Sequence, residues 1–548
     1  MPDLGELLTR MARDRAAFAQ KLDATYTNAR SKRVNIWNFL LETEIEAGST
    51  FLVSMPDATP YLSSGLTRET FAIPRSGKGG DRFWAYLDRR YGLSENEGSD
   101  SIARYLLGRF RNYAMQHGAR VEMRRFAAYR NIDNSQAVYL SSYNGSMWRV
   151  DGQDVMPIAN GEDDVFFVDD DGGRFVEPIV GPNGVLVEKL IEPISFAKAG
   201  MGGISDELMR KAYTIWIFGL AFPDLMPTKP LLIMEGAPGA GKSACLQLLQ
   251  HALLGKAKPI ILSRNKEDDF GVILLRSPIC VIDNLDAYVD WIPDAVCAYT
   301  TAGEWTKRRF YTDAEELTLK PHAFIAVASK NPTSFRREDV ADRSVILRLE
   351  RRERYTRFDA LKEEIRELRP QLLGEYLYYV NRIVAEIRAG VLRDQSDEGH
   401  RMADFASLAR VVSRVFEWPE DTVEILLAAL QSEQAAFFNE EDPLVELLHQ
   451  WIGYKPRVGA SNVGRLVDLY ALHQELESIA QARGIKFYSA KTLTQKLRAP
   501  HVEREFTIQM FAPGGSKSYR IWRKTDPQLR SVPLVTDEEP IAVATDED

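Results

Sequence analysis

Eight residues near the middle of the chain follow the pattern G-x-x-x-x-G-K-[ST], which is typical of a loop that binds phosphate groups. Its glycines allow the backbone to curl until the N–H groups point at phosphate oxygens. Within the pattern, we expect Lys242 to reach the β- and γ-phosphates of ATP and Ser243 to hold Mg²⁺. The predicted nucleotide-binding residues are Gly236, Ala237, Pro238, Gly239, Ala240, Gly241, Lys242 and Ser243.

An acidic residue follows a second apolar segment, Ile279–Ile282. Because such a strand would carry Asp283 to the sheet edge beside the phosphate loop, we predict that Asp283 also holds the metal. A glutamate that polarises the attacking water often comes next, but the next residue is Asn284, which cannot accept a proton. The catalytic base is therefore open between Asp286 and, more weakly, Glu235, and slow hydrolysis is one consequence.

Polar residues after the following strand complete the predicted site. Ser329-Lys-Asn-Pro332 ends that strand, and Asn331 is expected to hydrogen-bond the γ-phosphate or the attacking water. A turn residue without a ligand is the alternative. Arginines follow at Arg336, Arg337 and Arg343, and each is a candidate finger for a neighbouring subunit's γ-phosphate. Fingers of this kind contribute on the order of 10³–10⁵ in rate. An ion pair with Asp339 or Asp342 is the competing role.

These residues need a scaffold that brings them to one place. Five short apolar runs alternate with helical segments between residues 225 and 350, which predicts a parallel sheet buried on both faces. The predicted strands are Leu231–Met234, Pro259–Leu262, Ile279–Asp283, Ala323–Ser329 and Ser344–Leu349. A helix from Ser205 to Phe222 leads into the first of them.

A predicted β-hairpin interrupts this alternation before the Asn331 strand. Its two arms, Glu304–Tyr311 and Glu316–Lys320, flank a short polar turn. Its cations are predicted to face a central channel and to track a phosphate backbone. These cations are Lys307, Arg308 and Arg309. A hairpin whose charges are simply solvated is the alternative.

The order of these features resembles an AAA+ ATPase of the hairpin-inserted branch. That branch contains the superfamily 3 viral helicases, the minichromosome-maintenance helicases and the helicase halves of phage and mobile-element primase-helicases. The resemblance covers about residues 225–350 and implies a hexameric ring that encircles single-stranded DNA and moves along it using ATP and Mg²⁺. It implies the family roles for Lys242, Ser243, Asp283, Asn331 and Arg343. Asn284 departs from the family's usual acidic pair.

The C-terminal region has the pattern of a winged helix, with two helices followed by a β-hairpin. The helices are predicted at Val467–Arg483 and, capped by Ser489, at Ala490–Leu497. Lys455 to Lys524 contains 13 Lys and Arg but 5 Asp and Glu, whereas the whole chain has a net charge of −9. This local excess favours duplex DNA as a partner, with a protein-interaction module as the alternative. The predicted DNA contacts are Lys491, Lys496, Arg498, Lys517 and Arg520.

The fold class expected is therefore a multidomain α/β protein. The predicted domains are a helical N-terminal domain at 1–134, a small β-meander at 135–200, the AAA+ core at 201–350, a helical lid at 351–445, the winged helix at 446–525 and an acidic disordered tail at 526–548. The meander strands are predicted at Ala137–Leu140, Met147–Val150, Val155–Ile158 and Val165–Val168.

Composition places few further limits on function. No apolar run reaches the roughly 18 residues of a membrane span, and the N-terminus lacks the features of a signal peptide. Cys245, Cys280 and Cys297 form no C-x-x-C pair, which favours reduced thiols in the cytoplasm. The seven histidines show no metal-ligand spacing, so no zinc is expected.

Three functions are compatible with these patterns. The first is an ATP-driven hexameric DNA helicase or translocase of a phage or mobile element. The second is an ATP-gated DNA-binding switch, such as an initiator, a loader or a defence component, that hydrolyses slowly. The third is a protein-remodelling ATPase. Asn284 favours the second function over the first, whereas the basic hairpin favours the first.

Overall fold

The chain divides into two compact units, residues 1–434 and 435–548. The computed structural model describes residues 4–55, 57–74, 81–93, 101–132, 135–168, 173–262, 267–286, 288–302, 305–308, 316–319, 322–352, 355–390, 401–439, 444–453, 465–482, 487–498, 502, 505–511 and 517–524. The tail predicted to be disordered lies outside these residues. No helix in the described part of the chain is both long and apolar enough to cross a bilayer.

The N-terminal region mixes helices with a four-stranded sheet. Its elements are α1 (Leu4–Asp23), α2 (Ala29–Glu46), β1 (Thr50–Ser54), β2 (Pro60–Ser63), β3 (Thr70–Ala72), α3 (Asp81–Tyr91), α4 (Ser101–His117) and β4 (Ala119–Val121). The strand order is β3-β2-β1-β4, with β4 parallel to β1. The prediction of a helical N-terminal domain is therefore correct for α1 to α4 but missed this sheet. Phe51, Leu62 and Phe71 on these strands are buried in one core with Trp37 and Phe110 from the helices.

The predicted β-meander is confirmed but shifted. The elements are β5 (Met123–Arg124), β6 (Ala127–Ile132), β7 (Ser135–Ser141), β8 (Ser146–Val150), β9 (Val155–Ala159) and β10 (Phe166–Phe167). Strands β6 to β9 form an antiparallel sheet in sequence order. The meander thus begins at Ala127. The strand predicted at Val165–Val168 is present as β10, but it lies outside the meander, because Phe166 and Phe167 pair with β5.

The phosphate loop belongs to a parallel sheet between helices. The elements are α5 (Asp206–Gly219), β11 (Leu231–Gly236), α6 (Lys242–Leu254), α7 (Glu267–Arg276), β12 (Ile279–Asp283), α8 (Ile292–Ala302), β13 (Trp305–Arg308), β14 (Glu316–Leu319), β15 (Phe324–Ser329), α9 (Glu338–Ala341) and β16 (Ser344–Leu349). The sheet order is β12-β15-β11-β16, and every neighbouring pair is parallel. The predicted strand at 259–262 was wrong, because Ile260 forms an isolated bridge with Ile282.

A helical region covers the sheet and closes the first unit. It contains α10 (Phe358–Arg388), α11 (Ala403–Val415) and α12 (Thr422–Asn439), as the periodicity predicted. Leu249 on α6, Tyr376 on α10 and Phe405 on α11 lie in one continuous hydrophobic core with strands of the parallel sheet and the meander. Helices α10 and α11 therefore share a core with α6, the helix that begins at the phosphate loop.

The second unit has the element order helix, strand, helix, helix, hairpin. The elements are α13 (Leu444–Gly453), β17 (Val467–Asp468), α14 (Leu469–Ala482), α15 (Ala490–Lys496), β18 (Phe506–Phe511) and β19 (Ser518–Arg523). Strand β17 pairs with β19, so the helix predicted from Val467 starts two residues later. The reason is local, because the Asp468 carboxylate accepts hydrogen bonds from the amides of Tyr470 and Ala471. We call this unit from Leu444 to Lys524 the C-terminal module.

Candidate nucleotide site and nucleic-acid contacts

The order of the parallel strands brings the predicted site residues to one edge. Strand β15 lies between β11 and β12, and all three run in the same direction. Strand β11 leads into the phosphate loop, β15 leads to Asn331, and β12 ends at Asp283. In parallel sheets this edge is where ligands bind.

Each glycine of the phosphate pattern has a structural reason. Gly239 and Gly241 have φ values of 85° and 86°, in the left-handed region that favours glycine. A Cβ on Gly236 would lie 2.2 Å from the carbonyl oxygen of Leu349. Helix α6 then starts at Lys242, so its N-terminal end faces the loop.

Lys242 lies over the loop and is held by carbonyl groups. Its Nζ donates to the carbonyl oxygens of Gly236, at 2.7 Å, and Ala237, at 3.1 Å. Partial burial lowers the pKa of the Lys242 ammonium, although the nearby carboxylates of Asp286 and Asp283 act in the opposite direction. The cation is thus poised beside the loop.

Ser243 and Asp283 place two side-chain oxygens next to each other. The Ser243 hydroxyl donates to Asp283 Oδ1 at 2.6 Å, and both residues are partly buried. Hydroxyl and carboxylate oxygens are what Mg²⁺ prefers, so the donor set fits this ion. This contact joins the two residues that the sequence assigned to metal binding.

Asn284 and Asp286, the polar residues that follow Asp283, make different contacts. Asn284 is exposed, has a φ of 57° and donates its backbone amide to the carbonyl of Ala328. Asp286 Oδ1 accepts from the Ser329 hydroxyl at 2.6 Å and from the amides of Lys330 at 2.8 Å and Asn331 at 3.2 Å. Asp286 thus holds the turn that carries Asn331.

Those contacts also change the acidity of Asp286. Partial burial alone would raise the pKa of the Asp286 carboxyl, but the hydrogen bonds from Ser329, Asn331 and Lys330, together with the charge of Lys242, lower it overall. A carboxylate with a lowered pKa is a weaker proton acceptor. Asp286 is therefore better suited to organising the turn than to acting as a base.

Asn331 is oriented by an arginine. The Asn331 Oδ1 accepts from the guanidinium of Arg336 at 2.9 Å. Because a guanidinium can only donate, the amide atom that faces it must be the oxygen. The NH₂ end of the Asn331 side chain is then the end that can meet a phosphate or a water.

Glu235, the weaker candidate base, belongs to a buried ion cluster. It accepts from Arg336 at 2.8 Å and also from Arg348, which in turn donates to Glu433 at 2.8 Å. Glu235 is 6% exposed and Glu433 is fully buried. Sequence reasoning missed Arg348 and Glu433, because no local pattern marks either one. We call Glu235, Arg336, Arg348 and Glu433 the core ion cluster.

The three candidate arginine fingers differ in burial and in the contacts that they make. Arg336 is buried beneath its own sheet, which removes it from the candidates for a finger acting in trans. Arg337 is exposed and pairs with Asp339 and Asp294, each at 2.6 Å, so the predicted alternative of an ion pair applies to it. Arg343 is half-buried and donates to the carbonyl of Asp339.

The predicted DNA contacts lie in two places. Strands β13 and β14 pair antiparallel, so the inserted hairpin is confirmed, with Lys307 and Arg308 on β13. Their side chains, Arg309 and the turn lie outside the described residues. Among the predicted contacts in the C-terminal module, Lys491, Arg498, Lys517 and Arg520 are exposed. Lys496 is half-buried, with its ammonium 5.5 Å from the ring centroid of Phe438.

Comparison with known proteins gives one family match. Residues 196–416 match the family model described as actinomycete integrative conjugative element replication protein. No curated protein matches the sequence.

Several solved structures align with most of this chain. One is described as "SCCmec type IV Cch - active helicase", with a TM-score of 0.44, 12% identity and coverage of 82% of this chain and 88% of that one. Another is "The A form apo structure of NrS-1 C terminal region-CTR", with a TM-score of 0.41, 10% identity and coverage of 89% and 98%. At TM-scores below 0.5 these likenesses carry no functional argument.

Proposed function

We propose that this chain is an ATP-dependent DNA helicase or translocase that acts in the replication of a mobile element as a hexameric ring. The observation that carries this proposal is the meeting of Lys242, the Ser243–Asp283 pair and Asn331 at one sheet edge. The match of residues 196–416 to a replication-protein family supports the mobile-element setting.

In this proposal the loop binds the phosphate tail of ATP. The backbone amides of residues 236–243 and the N-terminal end of α6 surround the phosphates, and Lys242 moves its ammonium from the loop carbonyls to the β- and γ-phosphate oxygens. Ser243 and Asp283 would hold Mg²⁺, which supplies positive charge against the charge that develops on the leaving phosphates. Asn331 directs its NH₂ group at the γ-phosphate or the attacking water.

A neighbouring subunit would complete the site. Arg343 is the leading candidate finger, with Arg337 as the alternative, because neither is fully buried. Arg343 lies just before β16, and Arg337 just before α9. The need for a finger in trans couples hydrolysis to ring assembly. Single-stranded DNA would follow the β13–β14 hairpin, and duplex DNA would bind the C-terminal module as a winged helix.

Strand displacement tests this proposal. The wild-type protein, given ATP, Mg²⁺ and a forked duplex, is expected to displace one strand, and Lys242→Ala is expected to abolish both nucleotide binding and displacement. Images of single particles with ATP and DNA would report the ring. An ATPase that DNA does not stimulate and that displaces no strand would rule out the helicase.

A second candidate, an ATP-gated DNA-binding switch, is favoured by one specific observation. Asn284 is an amide that cannot accept a proton, and neither of the two candidate bases is well suited to activate water, because Asp286 holds the Asn331 turn and Glu235 is buried in ion pairs. A switch would bind DNA tightly with ATP bound and release it after a slow single turnover. Turnover in the presence of DNA distinguishes the two candidates.

A further inference from the structure

One arginine, Arg352, lies against the phosphate loop, and no ion pair balances its charge among the residues that the structure describes. Arg352 follows β16, and an ideal Cβ on Gly241 would lie 2.9 Å from both its Cζ and its Nε. The guanidinium therefore covers the last glycine of the loop. Tyr355, from the same segment, comes close to Gly239 in a similar way, with its hydroxyl 2.7 Å from the corresponding Cβ position.

The polar contacts of Arg352 leave it unsatisfied. Among the described residues, the Arg352 guanidinium donates one hydrogen bond, at 3.7 Å, to the Sγ of Cys245. Its Nε is buried and has no hydrogen-bond acceptor among the described residues. No carboxylate in the described part of the chain lies within ion-pair distance of it. A buried donor left unpaired is costly in a folded protein.

The surroundings of Arg352 are also electrostatically unfavourable for a cation. The side chain lies beside Gly241, the residue before the first turn of α6, where the helix dipole is positive. Burial raises the pKa of Cys245 to about 11, so its thiol stays neutral at pH 7 and offers no negative charge. Among the described residues, the fold thus places the Arg352 guanidinium at the positive end of a helix with no carboxylate to balance it.

We propose that Arg352 is a phosphate-binding residue of the nucleotide site, supplied by the segment that follows β16. It rests on the proposed function, since the anion that satisfies the guanidinium is a phosphate group of the nucleotide bound at the loop. A guanidinium donates along two parallel N–H directions, which suits phosphate oxygens. Arg352 therefore adds a cation from the same chain to the contacts made by Lys242 and the loop amides.

The test compares Arg352→Gln with Arg351→Gln. Arg351 is a matched control because it is the adjacent arginine, it is exposed and its Nε donates to the Tyr355 hydroxyl at 3.0 Å. Titration of fluorescent ATP and ADP analogues measures Kd. We expect Arg352→Gln to weaken nucleotide binding about 10-fold to 100-fold, as loss of a charge-assisted hydrogen bond does. Arg351→Gln should stay within about twofold of the wild type.

Thermal unfolding without nucleotide distinguishes a phosphate contact from a structural role. Removing an unbalanced charge should leave the Tm of the nucleotide-free protein unchanged or raise it, whereas a structural arginine would lower it. Wild-type affinity in Arg352→Gln, or a lowered Tm with unchanged affinity, would overturn the inference. If the wild type and Arg351→Gln bind no nucleotide, the proposed function itself fails.

Discussion

Two buried ion clusters in the first unit resemble each other closely but are connected differently. In the N-terminal region, Arg90 pairs with Glu44 at 2.9 Å and with Asp14 at 2.9 Å, and both Arg90 and Glu44 are fully buried. The core ion cluster pairs Glu235 with Arg336 and Arg348 under the nucleotide edge. Each cluster takes several charges out of water, but the core ion cluster pairs two arginines with two glutamates, whereas Arg90 faces two carboxylates.

The difference lies in what else the charged groups touch. Glu44 accepts further hydrogen bonds from Tyr86, Tyr91 and Ser49, all within the N-terminal region. Arg336, in contrast, also donates to Asn331, which is the residue expected to meet the γ-phosphate. A buried ion pair therefore bears on function only where one of its members also positions a residue of the site.

The largest expected effect is that of Arg336→Met. Breaking a buried ion pair from one side leaves an unpaired charge and costs about 3–5 kcal/mol. Loss of the hydrogen bond to Asn331 should also lower ATP turnover. Urea unfolding and steady-state turnover measure the two effects. Arg337→Met is the matched control for stability alone, because its exposed pairs contribute about 0–1 kcal/mol; equal losses of stability in both variants would contradict the difference in burial.

Arg90→Met should match Arg336→Met in stability and differ in function. It leaves Glu44 buried without its cation, so we again expect a loss of about 3–5 kcal/mol. Turnover per folded molecule should equal that of the wild type, measured at a temperature where both are folded. A turnover defect in Arg90→Met would show that the N-terminal cluster also bears on the site.

Asn331→Ala should reverse that pattern. Asn331 is exposed, but its Oδ1 accepts a hydrogen bond from the buried guanidinium of Arg336, so its removal should lower the free energy of unfolding by about 1–2 kcal/mol, less than the loss expected for Arg336→Met. Loss of one preorganised donor to developing charge costs about 10²–10³ in turnover. Nucleotide affinity should change little. Unaltered turnover would leave Asn331 as a turn residue without a ligand, which is the alternative that its Asn-Pro sequence raises.

The smallest effect is expected from the exposed charges of the C-terminal module. Lys517 is exposed and has no carboxylate within ion-pair distance among the described residues. If it contacts one DNA phosphate, Lys517→Ala should reduce the slope of log affinity against log salt by about 0.9 and leave stability unchanged. Binding isotherms at four salt concentrations measure the slope. An unchanged slope would remove Lys517 from the interface.

The residues that the sequence predicted best are those with local patterns. The phosphate loop needs its glycines and its helix start within eight consecutive residues, and Ser489 caps α15 within one turn, with its hydroxyl accepting from the amide of Thr492. Asp283 was found because an apolar strand leads directly to it. Such patterns depend on neighbours in the chain, so they can be read without knowing the fold.

The secondary structure of short apolar runs was predicted less well. Phe51–Val53 has the composition of either a buried strand or part of a helix, and the periodicity of so few residues cannot distinguish them. The segment at 259–262 looked like a strand for the same reason, yet Ile260 alone bridges to β12. Pairing with a distant strand decides such cases.

The chemistry of the nucleotide edge thus has two sources. The types and spacing of residues 236–243, Asp283 and Asn331 follow from the sequence, since each is marked by the strand or loop that carries it. The contacts of Glu235, Arg348 and Arg352 depend on the tertiary structure, because distant segments must pack together before these charged groups meet their neighbours. Burial then makes that pairing matter, because a charge removed from water must find its balance within the protein or in a ligand.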